Sequence, residues 1–99
     1  YYDGEGDESK AGFVLFDYKT NKKLYNDFNR QCNIYLKYPF NTLYQEAFGE
    51  YTIQLNLYAL MLEDLGLKLI ERSIIWLKDD GTYERIPVEN YSNIIKASL

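Results

Sequence analysis

The alternation of apolar and polar positions divides the chain into a few regular elements separated by polar stretches. Phe13-Val14-Leu15-Phe16 is a continuous apolar and aromatic run inside residues 12–20. Such a run predicts a strand buried on both faces. Ahead of it, Tyr1 and Tyr2 read as the tail of a strand, and residues 3–10 are polar and punctuated by glycine, as in a turn or loop. Strand, loop and strand together predict a hairpin whose first arm is almost entirely cut off at Tyr1. Residues 21–41 are polar, aromatic and weakly periodic, and Pro39 opposes helix there. They predict a long connection with one short helical piece.

From 50 to 65 the period changes. Tyr51, Gln54, Tyr58, Met61, Leu62 and Leu65 recur at spacings of three and four, while Ile53, Leu57 and Leu60 cover a neighbouring face. Most of the circumference is apolar, which predicts a largely buried helix, and Gly66 supplies its C-terminal stop. Residues 67–78 are rich in branched and aromatic side chains and predict a strand. Asp79-Asp80-Gly81-Thr82 reads as a tight turn, with 83–88 pairing back as the second arm of a hairpin. Val88, Tyr91, Ile94 and Ile95 have helical spacing and predict a short closing helix. The order strand, helix, hairpin, helix is a mixed α/β arrangement.

Composition narrows the chemistry. The 99 residues contain one cysteine and no histidine. Histidine-based acid–base or nucleophilic catalysis and His-ligated zinc are therefore impossible within this chain. A single Cys32 allows neither an internal disulfide nor a cysteine zinc cage. What remains is carboxylate, lysine, tyrosine, hydroxyl or backbone chemistry. A lone cysteine, no charged-then-apolar leader and no apolar run of about 20 residues predict a cytoplasmic protein with no membrane partner.

The net charge of −4 is unevenly spread. Residues 1–10 carry −3, residues 17–37 carry +3, and residues 38–66 carry −4. A basic segment in an acidic chain fits an anionic ligand at a restricted place, and on charge alone a solvated basic loop accounts for it equally well.

That basic segment begins with Asp17-Tyr18-Lys19-Thr20, at the end of the apolar strand. Two residues apart on a strand, Asp17 and Lys19 point to one face. Two charges at the end of a buried strand are costly unless they meet each other, a metal or a ligand, or unless the strand is emerging into solvent. The stretch resembles the signature of the PD-(D/E)xK nucleases, in their RecB-like branch of exonucleases and helicase-associated nucleases. Gln54 and Tyr58, four residues apart on the following helix, match a second element of that branch, after a longer insertion than its commonest spacing. With the hairpin that follows, the resemblance covers about residues 12–88.

This resemblance implies the C-terminal part of a PD-(D/E)xK (restriction-endonuclease-like) fold, a mixed sheet flanked by helices. It implies a metal-dependent DNA nuclease, an exonuclease acting in repair, recombination or phage DNA processing, with DNA and a helicase or recombination protein as partners. Asp17 and the backbone carbonyl of Tyr18 would be ligands of Mg²⁺ or Mn²⁺, hard cations that prefer oxygen. Lys19 would orient the attacking water and stabilise transition-state charge. Gln54 and Tyr58 would face the site, and Thr20, Lys22 and Lys23 would contact phosphates. The two lysines read equally well as solvated surface.

The chain departs from the family where a further acidic residue belongs on the preceding strand. Asp3 lies at the loop itself, so the cross-strand position opposite Asp17 falls before Tyr1. The expectation is a domain fragment, 1–99, holding one metal ligand and lacking at least one, with negligible activity alone. A catalytically inactive nuclease-like module that binds DNA or a protein is the alternative. Most of the eleven tyrosines read as packing, Trp76 as core, Asp79 and Asp80 as turn residues, and Cys32 as inert.

Overall fold

In the computed structural model, which describes residues 1–98, three strands form one mixed sheet in the order β1-β2-β3. β1 is Phe13–Lys19, β2 is Leu69–Leu77 and β3 is Tyr83–Pro87. β1 runs parallel to β2, with Asp17 opposite Ile74 and Lys19 opposite Trp76. β3 returns antiparallel to β2 across the predicted turn. The helices are α1, Asp27–Gln31; α2, Ala47–Asp64; and α3, Ser92–Ser98. The protein is thus a small α/β domain, as its patterning implies. The only helical piece of the 21–41 connection is α1, capped by the Asn26 side chain accepting from Asn29 N–H at 2.9 Å.

Side-chain alternation splits the sheet into two unlike faces. Leu15, Asp17 and Lys19 share one face with Arg72, Ile74 and Trp76, and α2 lies across it. Leu55, Ile74 and Val88 are buried there, with Leu15, Phe48 and Tyr51 packed around them. On the other face Phe16, Tyr18, Leu77, Tyr83 and Arg85 border a shallow depression with no helix over it among the described residues. Tyr18 is 64% exposed. The strand expected to be buried on both faces has no fully buried residue: Leu15, Asp17 and Lys19 are half-buried beneath α2, while Phe16 and Tyr18 are exposed. A continuous apolar run does not reveal that its alternate residues cover only each other, as Phe16 does beneath the Arg85 guanidinium.

The second correction concerns α2. Its buried positions are Gly49, Thr52, Leu55, Asn56, Ala59 and Leu60. Gln54, Tyr58, Met61 and Leu65, on the predicted apolar side, are exposed. The inward stripe includes two polar residues whose bonds are satisfied internally. Thr52 Oγ1 donates to Phe48 O at 2.8 Å. Asn56 Nδ2 donates to Thr52 O (2.8 Å) and Glu89 O (3.0 Å), while Oδ1 accepts from Arg72 Nη1 (2.7 Å) and Tyr91 N–H (2.8 Å). Arg72 also bonds Ser92 Oγ and Glu63 Oε1, at 3.1 and 3.3 Å. One buried amide therefore joins α2, β2 and the approach to α3.

That network shortens the closing helix. The spacing from Val88 predicts an earlier start, but α3 begins at Ser92 because Glu89 O and Tyr91 N–H are drawn to Asn56. At the other end α2 starts at Ala47, ahead of its apolar period. Its N-cap Glu46 makes no side-chain cap. Its carboxylate instead accepts two hydrogen bonds from Arg30 (2.8 and 2.7 Å) and one from Asn26 N–H (2.9 Å). The Arg30 guanidinium also lies over the rings of Tyr25 and Tyr44, at 4.6 and 4.9 Å from their centroids. Burial alone raises the pKa of Glu46. The hydrogen bonds and charge of Arg30, with the Asn26 N–H, outweigh it and hold the carboxyl below its ordinary value.

Residues 3–10, expected as a loop, hold two short 3-10 turns capped by Asp3 and Asp7. Tyr2 and Gly12 exchange backbone hydrogen bonds of 2.8 and 2.9 Å in antiparallel fashion. Glycine is required at 12, because a Cβ there would lie 2.8 Å from Lys68 O. It is required again at Gly66, where φ is +93° just past α2.

Asn56→Ala leaves Arg72, Tyr91 N–H and Glu89 O short of partners, and should lower unfolding free energy by about 3 kcal/mol or more; urea titration reads it, and a loss below about 1 kcal/mol contradicts the keystone role. Glu46 contributes stability that is fully present above the ordinary carboxylate pKa and lost as pH falls through its own lower one. The stability gap between wild type and Glu46→Gln should therefore shrink between about pH 7 and about pH 3.

Candidate functional site

Asp17 and Lys19 close the α2-facing side of β1, and their side chains meet. Lys19 Nζ lies 3.2 Å from Asp17 Oδ2, with the two side chains 20% and 26% exposed. The same ammonium donates to Gln54 Oε1 at 3.3 Å and sits 4.2 Å from the Tyr51 ring centroid. It thus has an anion, a neutral oxygen and an aromatic face for partners, and stays open to solvent on its remaining side. Partners of these three kinds fix a lysine in direction without neutralising it completely.

The support behind the ammonium is equally specific. Tyr51 Oη donates to Asn21 Oδ1 at 2.8 Å, and Asn21 O accepts from Trp76 Nε1 at 2.7 Å. Trp76 is the cross-strand neighbour of Lys19 and stands edge-on to Tyr25. The sequence reading gives Tyr51 only a packing role and does not single out Asn21. A signal for Tyr51 exists, since it stands three residues before Gln54 on the same helix. Nothing in the spacing marks Asn21, which acts through one side-chain and one backbone oxygen.

The remaining expected residues are placed less centrally. Tyr18 pairs with Ile75 in the ladder and carries its ring on the opposite, helix-free face. Tyr58 lies one turn beyond Gln54, is 49% exposed and makes no hydrogen bond among the described residues. Thr20, Lys22 and Lys23 are exposed just past β1. Lys22 borders a hollow with Trp76 and Lys78, whereas Lys23 borders a different one with Asn26 and Phe28. Trp76, expected in the core, is only partly buried.

As for a divalent cation, Asp17 is the one carboxylate ion-paired with Lys19 among the described residues. No group of three or more His, Cys, Asp or Glu side chains there could hold a metal. Mg²⁺ takes about six oxygen ligands, usually with more than one charged group or bound phosphate. The described residues do not fit a metal site on their own. Asp3 is spent on Glu5 N–H at 2.9 Å, and Asp7 accepts from Ser9 N–H and Oγ, bonds that lower its pKa.

Along the first turns of α2 is a cleft of about 630 Å³ lined in part by Thr42, Tyr44, Phe48, Thr52 and Tyr91. It contains none of the residues expected to carry chemistry. No helix among the described residues is long and apolar enough to cross a membrane. No family model, curated protein or solved structure matches the chain.

The Asp17–Lys19 pair is partly solvated, so its contribution to stability should be small. Asp17→Asn and Lys19→Met should each change unfolding free energy by less than about 1 kcal/mol. A loss of about 3 kcal/mol or more in urea titration marks the pair as a structural ion pair instead.

Proposed function

We propose that these residues form the Asp-x-Lys side of a metal-dependent DNA nuclease site of the RecB-like PD-(D/E)xK type. The observation that carries the reading is the 3.3 Å contact between Lys19 Nζ and Gln54 Oε1. The two residues are 35 positions apart, on the two elements whose patterns resemble that family. A parallel β1-β2 pair joined through α2 and followed by an antiparallel β3 is compatible with the corresponding part of such a fold.

Hydrolysis of a phosphodiester builds negative charge on the phosphoryl oxygens, and fixed cationic donors stabilise it. In this reading Lys19 presents its ammonium to the phosphate and the incoming water. Gln54 and Tyr51 keep that ammonium aimed, and Asp17 limits its swing. Asp17 is also the carboxylate that the resemblance gives to Mg²⁺ or Mn²⁺. A cation there needs further acidic ligands beside those described, so the cation's part in the reaction stays outside the mechanism.

That single carboxylate favours a second reading, a nuclease-like module that binds DNA without cleaving it. One experiment separates the two. Full-length gene product is incubated with linear DNA and Mg²⁺, and both cleavage and binding are measured. The nuclease reading expects cleavage that falls about 10²–10³-fold in Lys19→Ala with unchanged circular dichroism. Binding without cleavage selects the module. Absence of both overturns the DNA assignment.

A further inference from the structure

Next to Lys19, at the end of the sheet, is a hollow of about 320 Å³ lined by Asn21, Lys22, Trp76, Lys78, Asp79 and Asp80. We propose that this hollow is a stacking subsite for one unpaired base of single-stranded DNA whose neighbouring phosphate lies at Lys19. The inference rests on the nucleic-acid reading above and specifies its substrate form.

Lys19 and Trp76 are register partners on adjacent strands, which are separated by about 4.8 Å. A ligand at the ammonium is therefore immediately beside the indole. The two are also mechanically linked, because the indole N–H is held by Asn21 O and the Asn21 side chain is held by the Tyr51 hydroxyl under Lys19. A platform fixed before the ligand arrives loses little freedom on binding.

Lys78 Nζ lies 5.0 Å from the centroid of the Trp76 ring. Its flexible stem lets the ammonium swing from the ring to a phosphate and uncover the aromatic face. Lys22 is exposed and makes no hydrogen bond or ion pair among the described residues. Of the two acids at the rim, Asp80 is turned back onto Thr82 N–H and Oγ1, at 2.9 and 2.6 Å. Its charge remains, so Asp79 and Asp80 balance Lys22 and Lys78 at the rim, and the indole face is the feature that sets this hollow apart. An aromatic face with flanking ammonium groups is the combination that holds a single strand, through stacking and phosphate contact. A base inside a duplex is already stacked on both faces, so the hollow takes an unpaired one.

Trp76 is the single tryptophan of the chain and reports on its own subsite. Titration with an oligothymidylate of about eight nucleotides should quench its fluorescence saturably. Lys22→Gln and Lys78→Gln should each reduce the slope of log affinity against log salt by about 0.7. A closed hairpin duplex should bind about tenfold more weakly in the same assay. Quenching should still saturate in Lys19→Ala, at weaker affinity because one phosphate contact is lost, whereas the nuclease reading expects cleavage to fall about 10²–10³-fold, so the two proposals fail separately. Unchanged emission, an unaltered salt slope in both lysine variants, or equal quenching by the duplex overturns the subsite, whatever the cleavage assay gives.

Discussion

A primary amide buried without exposure to water governs how this domain is put together. Asn56 has two donor hydrogens and two acceptor lone pairs, and all four are engaged by groups from three parts of the chain. Left unpaired in the interior, each would cost free energy on the scale of a whole hydrogen bond. The rotation of α2 about its axis is therefore fixed by polar satisfaction more than by its apolar residues. Once Asn56 and Thr52 face the sheet, Tyr51 and Gln54 fall toward the end of β1, where Lys19 emerges. Arg72 extends the same constraint to Ser92 and Glu63, and so sets where the last helix begins.

The two charged arrangements beside the N-terminal half of α2 contrast in kind. Glu46 is almost fully buried, and Arg30 meets it through two hydrogen bonds while lying over two tyrosine rings. It anchors the helix start to the preceding connection. Lys19, by contrast, is held by a partly solvated carboxylate, an amide oxygen and a ring face. Both carboxylate oxygens of the first are hydrogen-bonded, whereas the second keeps part of its ammonium open to a ligand. Support and candidate chemistry are thereby separated along one helix.

The order of elements was readable because each rests on local signals: the apolar run of β1, the three-and-four spacing of α2, Gly66, and the Asp-Gly turn before β3. The juxtaposition of Lys19 with Gln54 was also foreshadowed, because both lie in motif-like stretches. Burial was read less well, for identifiable reasons. Thr52 and Asn56 look like solvent-facing residues until their partners at Phe48, Glu89, Arg72 and Tyr91 are known. Met61 and Leu65 look like core by period, yet they continue the exposed side of α2 that begins with Gln54 and Tyr58. Phe16 and Tyr18 belong to an apolar run whose outward members have no helix above them. In each case the deciding partner is distant in sequence, which periodicity within one element does not register.

The parallel pairing of β1 with β2 has a kinetic side. The strands are neighbours in space but are separated by the whole of residues 20–68, so their ladder closes a long loop, and loop-closure entropy must be met before the contacts repay it. Lys19, Gln54 and Trp76 come from three elements that this closure assembles. Their meeting depends on tertiary docking, not on any helix or hairpin formed by itself. A partly folded chain can hold α2 and the β2-β3 hairpin and still have no site, which makes the Lys19 cluster a signature of completed folding.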